Sequence, residues 1–456
     1  MEGFKEVINF MRILSEAKEK AKKFSPPFLI SWYHFLLAFF GALIYRFPSK
    51  NLRVIGITGT KGKSTVVLMA EKILEEAGFK VASLSSIKFK IREKEWENKL
   101  KMTMPGHFII QKFLRDAVRA GCEYAILEVT SEGILQHRHR FIDFDTAVFT
   151  NLSPEHIEHH GSFESYRKAK GKLFEICRKT HAVNLDDENA KYFLGFPSSE
   201  KYGFRIKNQE SGIRNQELTK DLKIIEAQNV QVKDDYLSFL IHNSLFLIHL
   251  LGKFNIYNVL SAICIGFSQG VDLEICKRAL EKIEKIPGRM EIVVEGPFKV
   301  IVDYAHTPQS LIEVYRTVQG VRLKDQGARL ICVLGAAGGG RDKWKRPEMG
   351  RIAVKYCDEI ILTDEDPYDE NPKAILEDIE KGILGYKFQV TSYKKILDRK
   401  EAIREALGIA KEGDTVIITG KGCEPWMCVE DGKKIPWDDR EIVREEINKL
   451  KEQKND

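Results

Sequence analysis

Gly59-Thr60-Lys61-Gly62-Lys63-Ser64 is the run most suited to chemistry. It follows an apolar stretch, Arg53–Thr58, and precedes apolar residues at Val66, Val67, Ala70, Ile73, Leu74 and Ala77, with Gly78 beyond. That spacing predicts a buried strand, a glycine turn and a one-faced helix. Gly59 and Gly62 let the backbone, with Thr60 and Lys61, curl so that its N–H groups face phosphate oxygens. Lys63 adds a positive charge, and Ser64 at the helix start can ligate magnesium. The eight-residue phosphate-loop pattern would need glycine at position 57, which is Ile57. Phosphate binding follows from these residues; the identity of the nucleotide enzyme does not.

Glu128 lies toward the end of a second predicted strand, Tyr124–Thr130, where a carboxylate would face the phosphate edge and offer magnesium a hard oxygen. Downstream, Thr150-Asn151-Leu152-Ser153-Pro154-Glu155-His156-Ile157-Glu158-His159-His160-Gly161 invites a zinc reading. Its spacing matches no HExxH helix, and Pro154 and Gly161 mark a loop. Lys170, in Tyr166–Phe174, reads by residue type alone as part of a solvated charged face with Arg167, Lys168 and Lys172.

These residues sit at the C-terminal ends of predicted strands, which alternate with helical patterns from residue 52 onward. The expected class is α/β: a central P-loop-type ATPase domain with a mostly parallel sheet (51–286) and a C-terminal Rossmann-like domain (287–456). Strands are expected at Val81–Ser85, Thr146–Asn151 and Ala182–Leu185, then at Lys299–Tyr304, Arg329–Leu334, Glu359–Thr363 and Thr415–Thr419. The polar stretch 195–250 reads as a small β excursion, and the tail from Arg440 as one charged helix.

Residues 1–50 read as a short helical segment. The first 25 suggest a solvated helix, and Phe28 to Tyr45 carries no charge. The apolar run is at the lower edge of a membrane span, which needs about 20 residues. Packing on the following domain, contact with a membrane surface, and a true span remain open, in that order. The net charge of +6 over 456 residues is interleaved rather than massed, which argues against nucleic acid. Eight cysteines without a CxxC pair read as reduced thiols of a cytoplasmic protein.

Gly-Thr-Lys-Gly-Lys-Ser after an apolar strand resembles the ATP-binding turn of the Mur ligase superfamily, whose usual form has this displaced first glycine. Thr150–Gly161 resembles its histidine segment, which implies His156 as a ligand of a second magnesium, with Glu155 where the family has Asp. Tyr166–Phe174 resembles its helix with a carbamylated lysine, which implies Lys170. The resemblance thus implies ATP and Mg2+ as cofactors, a metal set of Ser64, Glu128, His156 and Lys170, and a catalytic set of Lys63, Glu128, His156 and Lys170. It places Asn255 and Asn258 near the adenine, Arg289 at the domain junction, and Asp303 in the motif Val302–Pro308.

Within the superfamily, Thr130-Ser131 with Gln136 and Arg138 is similar to the muramoyl-binding run of MurE-type ligases, which add the third residue of the peptidoglycan stem peptide. Thr103 joins that implied substrate set, with Arg341 of the basic loop 338–347 and Gly420 and Glu424 of Gly-Lys-Gly-Cys-Glu. Diaminopimelate-adding members carry Asp-Asn-Pro-Arg, where this chain has Glu365-Asp366-Pro367-Tyr368. Tyr368 cannot make arginine's bidentate contact. Lysine or another diamino acid, met by Asp366 or Asp369, is as consistent as diaminopimelate. The family's N-terminal uridine-binding domain has no match in the residues before position 52. The implied partners are a muramoyl peptide and an amino acid, with the protein a monomer. The rivals are a folylpolyglutamate- or cyanophycin-type ligase, a ligase of lipid-linked muramoyl substrates, and a non-catalytic ATP-binding subunit.

Overall fold

A computed structural model describes residues 26–100, 102–155, 157–207, 221–322, 327–385 and 392–455. The run Arg53–Thr58 is apolar on both faces and buried throughout except Arg53, so it lies inside a parallel sheet as β1. Around it the first sheet runs β11-β10-β9-β8-β7-β6-β1-β5-β2-β3-β4. The strands are β2 (Val81–Leu84), β3 (Lys88–Ile91), β4 (Lys94–Glu97), β5 (Tyr124–Glu128), β6 (Phe144–Phe149) and β7 (Thr180–Asn184). Beyond them lie β8 (Glu200–Ile206), β9 (Lys223–Val232), β10 (Leu237–Ile241) and β11 (Ser244–Ile248). Pairing is parallel from β2 through β9 and antiparallel at both edges.

The expected β excursion at 195–250 is therefore a continuation of the main sheet. Its alternation reflects edge strands with one wet face: Leu237, Phe239 and Ile241 are buried, whereas Leu245 and Leu247 are exposed. The second sheet runs β12-β13-β17-β14-β15-β16, with β12 (Glu291–Glu295) antiparallel to β13 (Lys299–Asp303). The other pairs, among β14 (Leu330–Leu334), β15 (Glu359–Leu362), β16 (Ser392–Lys395) and β17 (Thr415–Thr419), are parallel. A short hairpin pairs β18 (Trp426–Cys428) with β19 (Lys434–Pro436).

Helix α1 (Pro27–Ile44) has proline at its first turn, where a missing N–H costs nothing. It stops where Arg46 and Phe47 turn left-handed before Pro48. It packs on α3 (His107–Arg119), with Gly41 against the His107 backbone, and its Ala38 and Ala42 are buried. The helix reading of 28–45 holds, and among the described residues no helix is long and apolar enough to cross a membrane. Residues 1–25 lie outside the described residues.

Two further differences are physical. Cys332 on β14 and Cys357, just beyond a helix, form a disulfide, where reduced thiols were expected. Their Cα atoms are 6.1 Å apart although 25 residues separate them, a juxtaposition of strand and helix layers that linear spacing does not reveal. The other six cysteines are free. Residues Ile157–His160, expected as loop, form a single helical turn.

Candidate active site

The phosphate turn joins β1 to α2 (Lys63–Glu76). Gly59 has φ 151° and Gly62 φ 82°, and a side chain at either would collide, with Thr150 Oγ1 and Asn258 Oδ1 respectively. The turn is gripped from one side by the end of β6. Asn151 O accepts from Thr60 N at 2.8 Å, Asn151 Oδ1 accepts from Lys61 N at 2.9 Å, and the Thr150 hydroxyl donates to Lys61 O at 2.7 Å. Gly62 caps α2 without a side-chain bond, which leaves the helix N-terminus suited to an anion.

Three oxygens converge beside it. Ser64 Oγ donates to Glu128 Oε2 at 2.8 Å, Ser86 N donates to the same oxygen at 2.9 Å, and the two serine hydroxyls are 2.7 Å apart. Lys63 Nζ donates to Gly59 O and Thr60 O at 3.0 and 2.9 Å and stands 3.9 Å from Glu128. Hydroxyl and carboxylate oxygens fit magnesium. Among the described residues no group of three or more His, Cys, Asp or Glu gathers to hold a metal.

Lys170 lies on α6 (Phe163–Ile176), whose N-terminus is capped by Ser162. It is only 2% exposed and its Nζ donates to Gly59 O at 2.7 Å. This corrects the solvated-face reading of the helix: Lys168 is exposed and Arg167 half-buried over the Tyr192 ring, whereas Lys170 points into the turn. Burial, then the charge of Lys63, holds its amine well below the ordinary lysine value. A neutral amine there can attack CO2, and the resulting carbamate would turn a repelled cation into an anion facing Lys63. His156 lies outside the described residues. His160 is on the helical turn beside it, 3.1 Å from Ser131 Oγ.

The second sheet closes the site. Glu155 Oε1 is 3.2 Å from Lys61 Nζ and 3.1 Å from His306 Nε2. Burial, then Lys61, pushes the His306 ring down to about 3. Asp342 Oδ1 accepts from Glu158 N at 3.1 Å, and Trp426 Nε1 donates to Lys99 O at 3.2 Å. Asp303 accepts from Met290 N at 2.7 Å and Ala305 N at 2.6 Å, which shapes the junction loop. Arg289 lies over the Tyr304 ring at 4.2 Å. Asn258 Nδ2 donates to Asn255 Oδ1 at 2.8 Å, and Asn255 Nδ2 to Leu251 O at 2.7 Å, so the pair is fixed against Gly62.

The remaining expected residues form two groups. Arg138 donates to Gln136 Oε1 at 2.5 Å and to Met104 O, next to Thr103. Thr130 caps the helix Ser131–Leu135 by accepting from Gly133 N. On the other side, Lys421 is fully buried and donates to Asp366 Oδ1 at 2.9 Å and Glu424 Oε2 at 2.6 Å, and the Tyr304 hydroxyl donates to Glu424 Oε1 at 2.8 Å. Arg341 lies 5.9 Å from the Tyr368 ring centre. Gly420, φ 112°, leaves no room for a side chain beside Glu365.

Sequence reasoning missed Ser86, Thr150, His306, Tyr304 and Lys421 as site members. His306 and Tyr304 lie in the motif at 302–308 and Lys421 in the Gly-Lys-Gly run, so those segments carried a signal; nothing marks Ser86.

The model of the Mur ligase middle domain matches residues 57–266, and that of the Mur ligase glutamate ligase domain matches 288–422. A Syntrophomonas wolfei protein named UDP-N-acetylmuramoyl-L-alanyl-D-glutamate–2,6-diaminopimelate ligase is 37% identical over 418 residues, 90% of this chain and 81% of that protein. The chain belongs to the Mur ligase family. It is an ATP-dependent, ADP-forming amide ligase. A Roseiflexus protein named UDP-N-acetylmuramyl-tripeptide synthetase is 34% identical over 437 residues, with 91% and 82% covered. A solved diaminopimelate ligase superposes with a TM-score of 0.56 at 29% identity over 88% of this chain and 79% of that one. A folylpolyglutamate synthase of Mycobacterium tuberculosis reaches 0.64 at 13% identity (84% and 92% covered), a likeness of fold alone.

Proposed function

We propose that this ligase adds the third amino acid to a muramoyl dipeptide in peptidoglycan precursor synthesis. The observation that supports it best is the meeting of two groups of polar side chains where the two sheets' domains touch. The phosphate turn with Ser64, Glu128 and buried Lys170 lies on one side. Arg341, Tyr304 and Glu424 lie on the other, and the Glu155–His306 contact bridges the two.

In the reaction, an acceptor carboxylate oxygen attacks the γ-phosphorus of ATP, the bond to the β,γ-bridging oxygen breaks, and ADP leaves. The amine of the amino acid then attacks the acyl carbon and loses a proton. Phosphate departs from the tetrahedral intermediate with the former carboxylate oxygen. Lys63 and the α2 N-terminus stabilise charge on the transferring group. Magnesium, held by Ser64, Glu128 and His156 with a carbamate on Lys170, would neutralise phosphate charge when bound. Asn255 and Asn258 border the nucleotide, Arg289 and Asp303 form the hinge side, and Thr103, Thr130, Gln136 and Arg138 hold the acceptor. Units 51–286 and 287–456 close together to keep water from the acyl phosphate.

The amino acids to compare are lysine and diaminopimelate: no arginine stands at 368 to grip a second carboxylate, and Asp366, which would meet a distal amine, is already paired with Lys421. The enzyme works in the cytoplasm, where ATP is supplied, and as a monomer, because one chain furnishes both groups of side chains. Purified protein with ATP, Mg2+ and UDP-muramoyl dipeptide should release phosphate in the presence of lysine or diaminopimelate and not with folate-type acceptors. Release with folate-type acceptors alone would move the assignment to the other branch of the family.

A further inference from the structure

Helix α1 carries a face that the ligation reaction does not use. Phe28 and Ile44 are 62% exposed, Trp32 is 61% exposed, and Leu29, Leu36 and Phe40 lie along the same stripe, all exposed. No Asp, Glu, Lys or Arg falls within Pro27–Ile44. A run of six large apolar side chains at helical spacing on one solvent-facing stripe marks an interaction surface.

The opposite face is committed to the protein. Ser31 Oγ lies 2.8 Å from His137 Nε2, His34 stacks on His107 with ring centres 5.5 Å apart, and Phe35 meets His137 and Phe141 edge-on. Ala38 and Ala42 are buried. With one face packed, the helix lies along a surface rather than through one. The flanks are basic: Lys18, Lys20, Lys22 and Lys23, with Glu19 between them, precede the helix in sequence, and Arg46 and Lys50 follow it. Trp32 and Tyr33 are the residue types that favour the headgroup boundary.

We infer that α1 rests in the plane of an anionic lipid surface, its outer stripe among acyl chains and its basic flanks on the headgroups. A second copy docked stripe to stripe would bring another uncharged helix face and another set of net-basic flanks, which would repel rather than neutralise the first. Residues 1–25 carry an excess of lysine and arginine over acids and would not neutralise them either. His137 sits between Gln136 and Arg138, so docking sets the acceptor turn at the lipid surface. That last consequence, unlike the docking itself, rests on the ligase reading.

The test is flotation of the full chain with phosphatidylglycerol-containing vesicles and with pure phosphatidylcholine, beside a Trp32→Glu/Phe40→Glu variant. The wild type floats with the anionic vesicles only, high salt weakens the association, and the variant binds at least ~10-fold less while ligating a soluble acceptor as before. A second readout needs no variant that must fold with new charges. The fluorescence difference between wild type and Trp32→Phe shows Trp32 open to acrylamide without vesicles and shielded with them. Wild type left at the bottom of the gradient, or a variant that floats as well as wild type, overturns the inference. So does Trp32 already shielded without lipid, which would mean that a second copy or residues 1–25 cover the stripe. Protein that floats but ligates no acceptor supports the docking and removes the ligase reading.

Discussion

Replacing Lys170 with alanine removes an amine 2.7 Å from Gly59 O, on a residue 2% exposed. Its burial and the neighbouring Lys63 disfavour the ammonium form, so the amine available to CO2 is larger than on a surface lysine. Once carbamylated, it places an anion in the field of Lys63, much as Glu128 does at 3.9 Å. Unit charges about 4 Å apart at an effective dielectric of 20 interact by about 4 kcal/mol, and partial screening by solvent leaves roughly 3 kcal/mol. Loss of that anion at the transition state corresponds to a kcat about 10²-fold lower. The assay is amino-acid-dependent ADP release at saturating substrates, in wild type and Lys170→Ala, with and without added formate or acetate to supply a carboxylate in the emptied space. The variant should fall about 100-fold and recover in part with the small acid. A variant within about threefold of wild type would refute the assignment of Lys170.

Arg399 and Asp439 are fully buried and share a two-point contact at 2.8 and 2.7 Å, so Arg399→Leu should lower stability by about 3–5 kcal/mol, read by urea denaturation. The double change Arg399→Leu/Asp439→Leu should regain much of that loss. Tyr368→Arg should raise the kcat/KM ratio for diaminopimelate over lysine by roughly 10-fold or more, since a charge-assisted contact contributes about 1.5–3 kcal/mol; an unchanged ratio would remove position 368 from amino-acid selection. Burial pushes the Asp364 carboxyl up to about 7. The folded state then holds this proton more tightly than the unfolded chain, so its penalty is absent below about pH 4 and grows as pH rises toward 7. Asp364→Asn should therefore match wild type near pH 4 and be more stable at pH 8, by on the order of 1–2 kcal/mol after solvent screening.

The phosphate turn, Glu128 and the alternating strands were readable because each depends on local spacing: glycines before a helix, or a carboxylate closing an apolar run. The first sheet extends further than expected because its last strands have one wet face and so lose the apolar signature of β1. Lys170 reads as a surface lysine from its neighbours alone; only its helix face, turned toward Gly59, shows otherwise. Glu155 and His306 are 151 residues apart, and Lys421 is buried against Asp366, 55 residues earlier. Such pairs are set by how two sheets meet, which no single segment encodes. The disulfide between Cys332 and Cys357 escaped detection for the same reason.

The central claim is ligation through an acyl phosphate at the Gly59–Ser64 turn, and oxygen transfer tests it most directly. An acceptor labelled with 18O in its reacting carboxylate is incubated with ATP, Mg2+ and amino acid, and the released phosphate is analysed by mass spectrometry. One carboxylate oxygen should appear in phosphate for each amide formed, with ADP as the other product, and Lys63→Ala should abolish both. Unlabelled phosphate, or AMP and pyrophosphate as products, would contradict it.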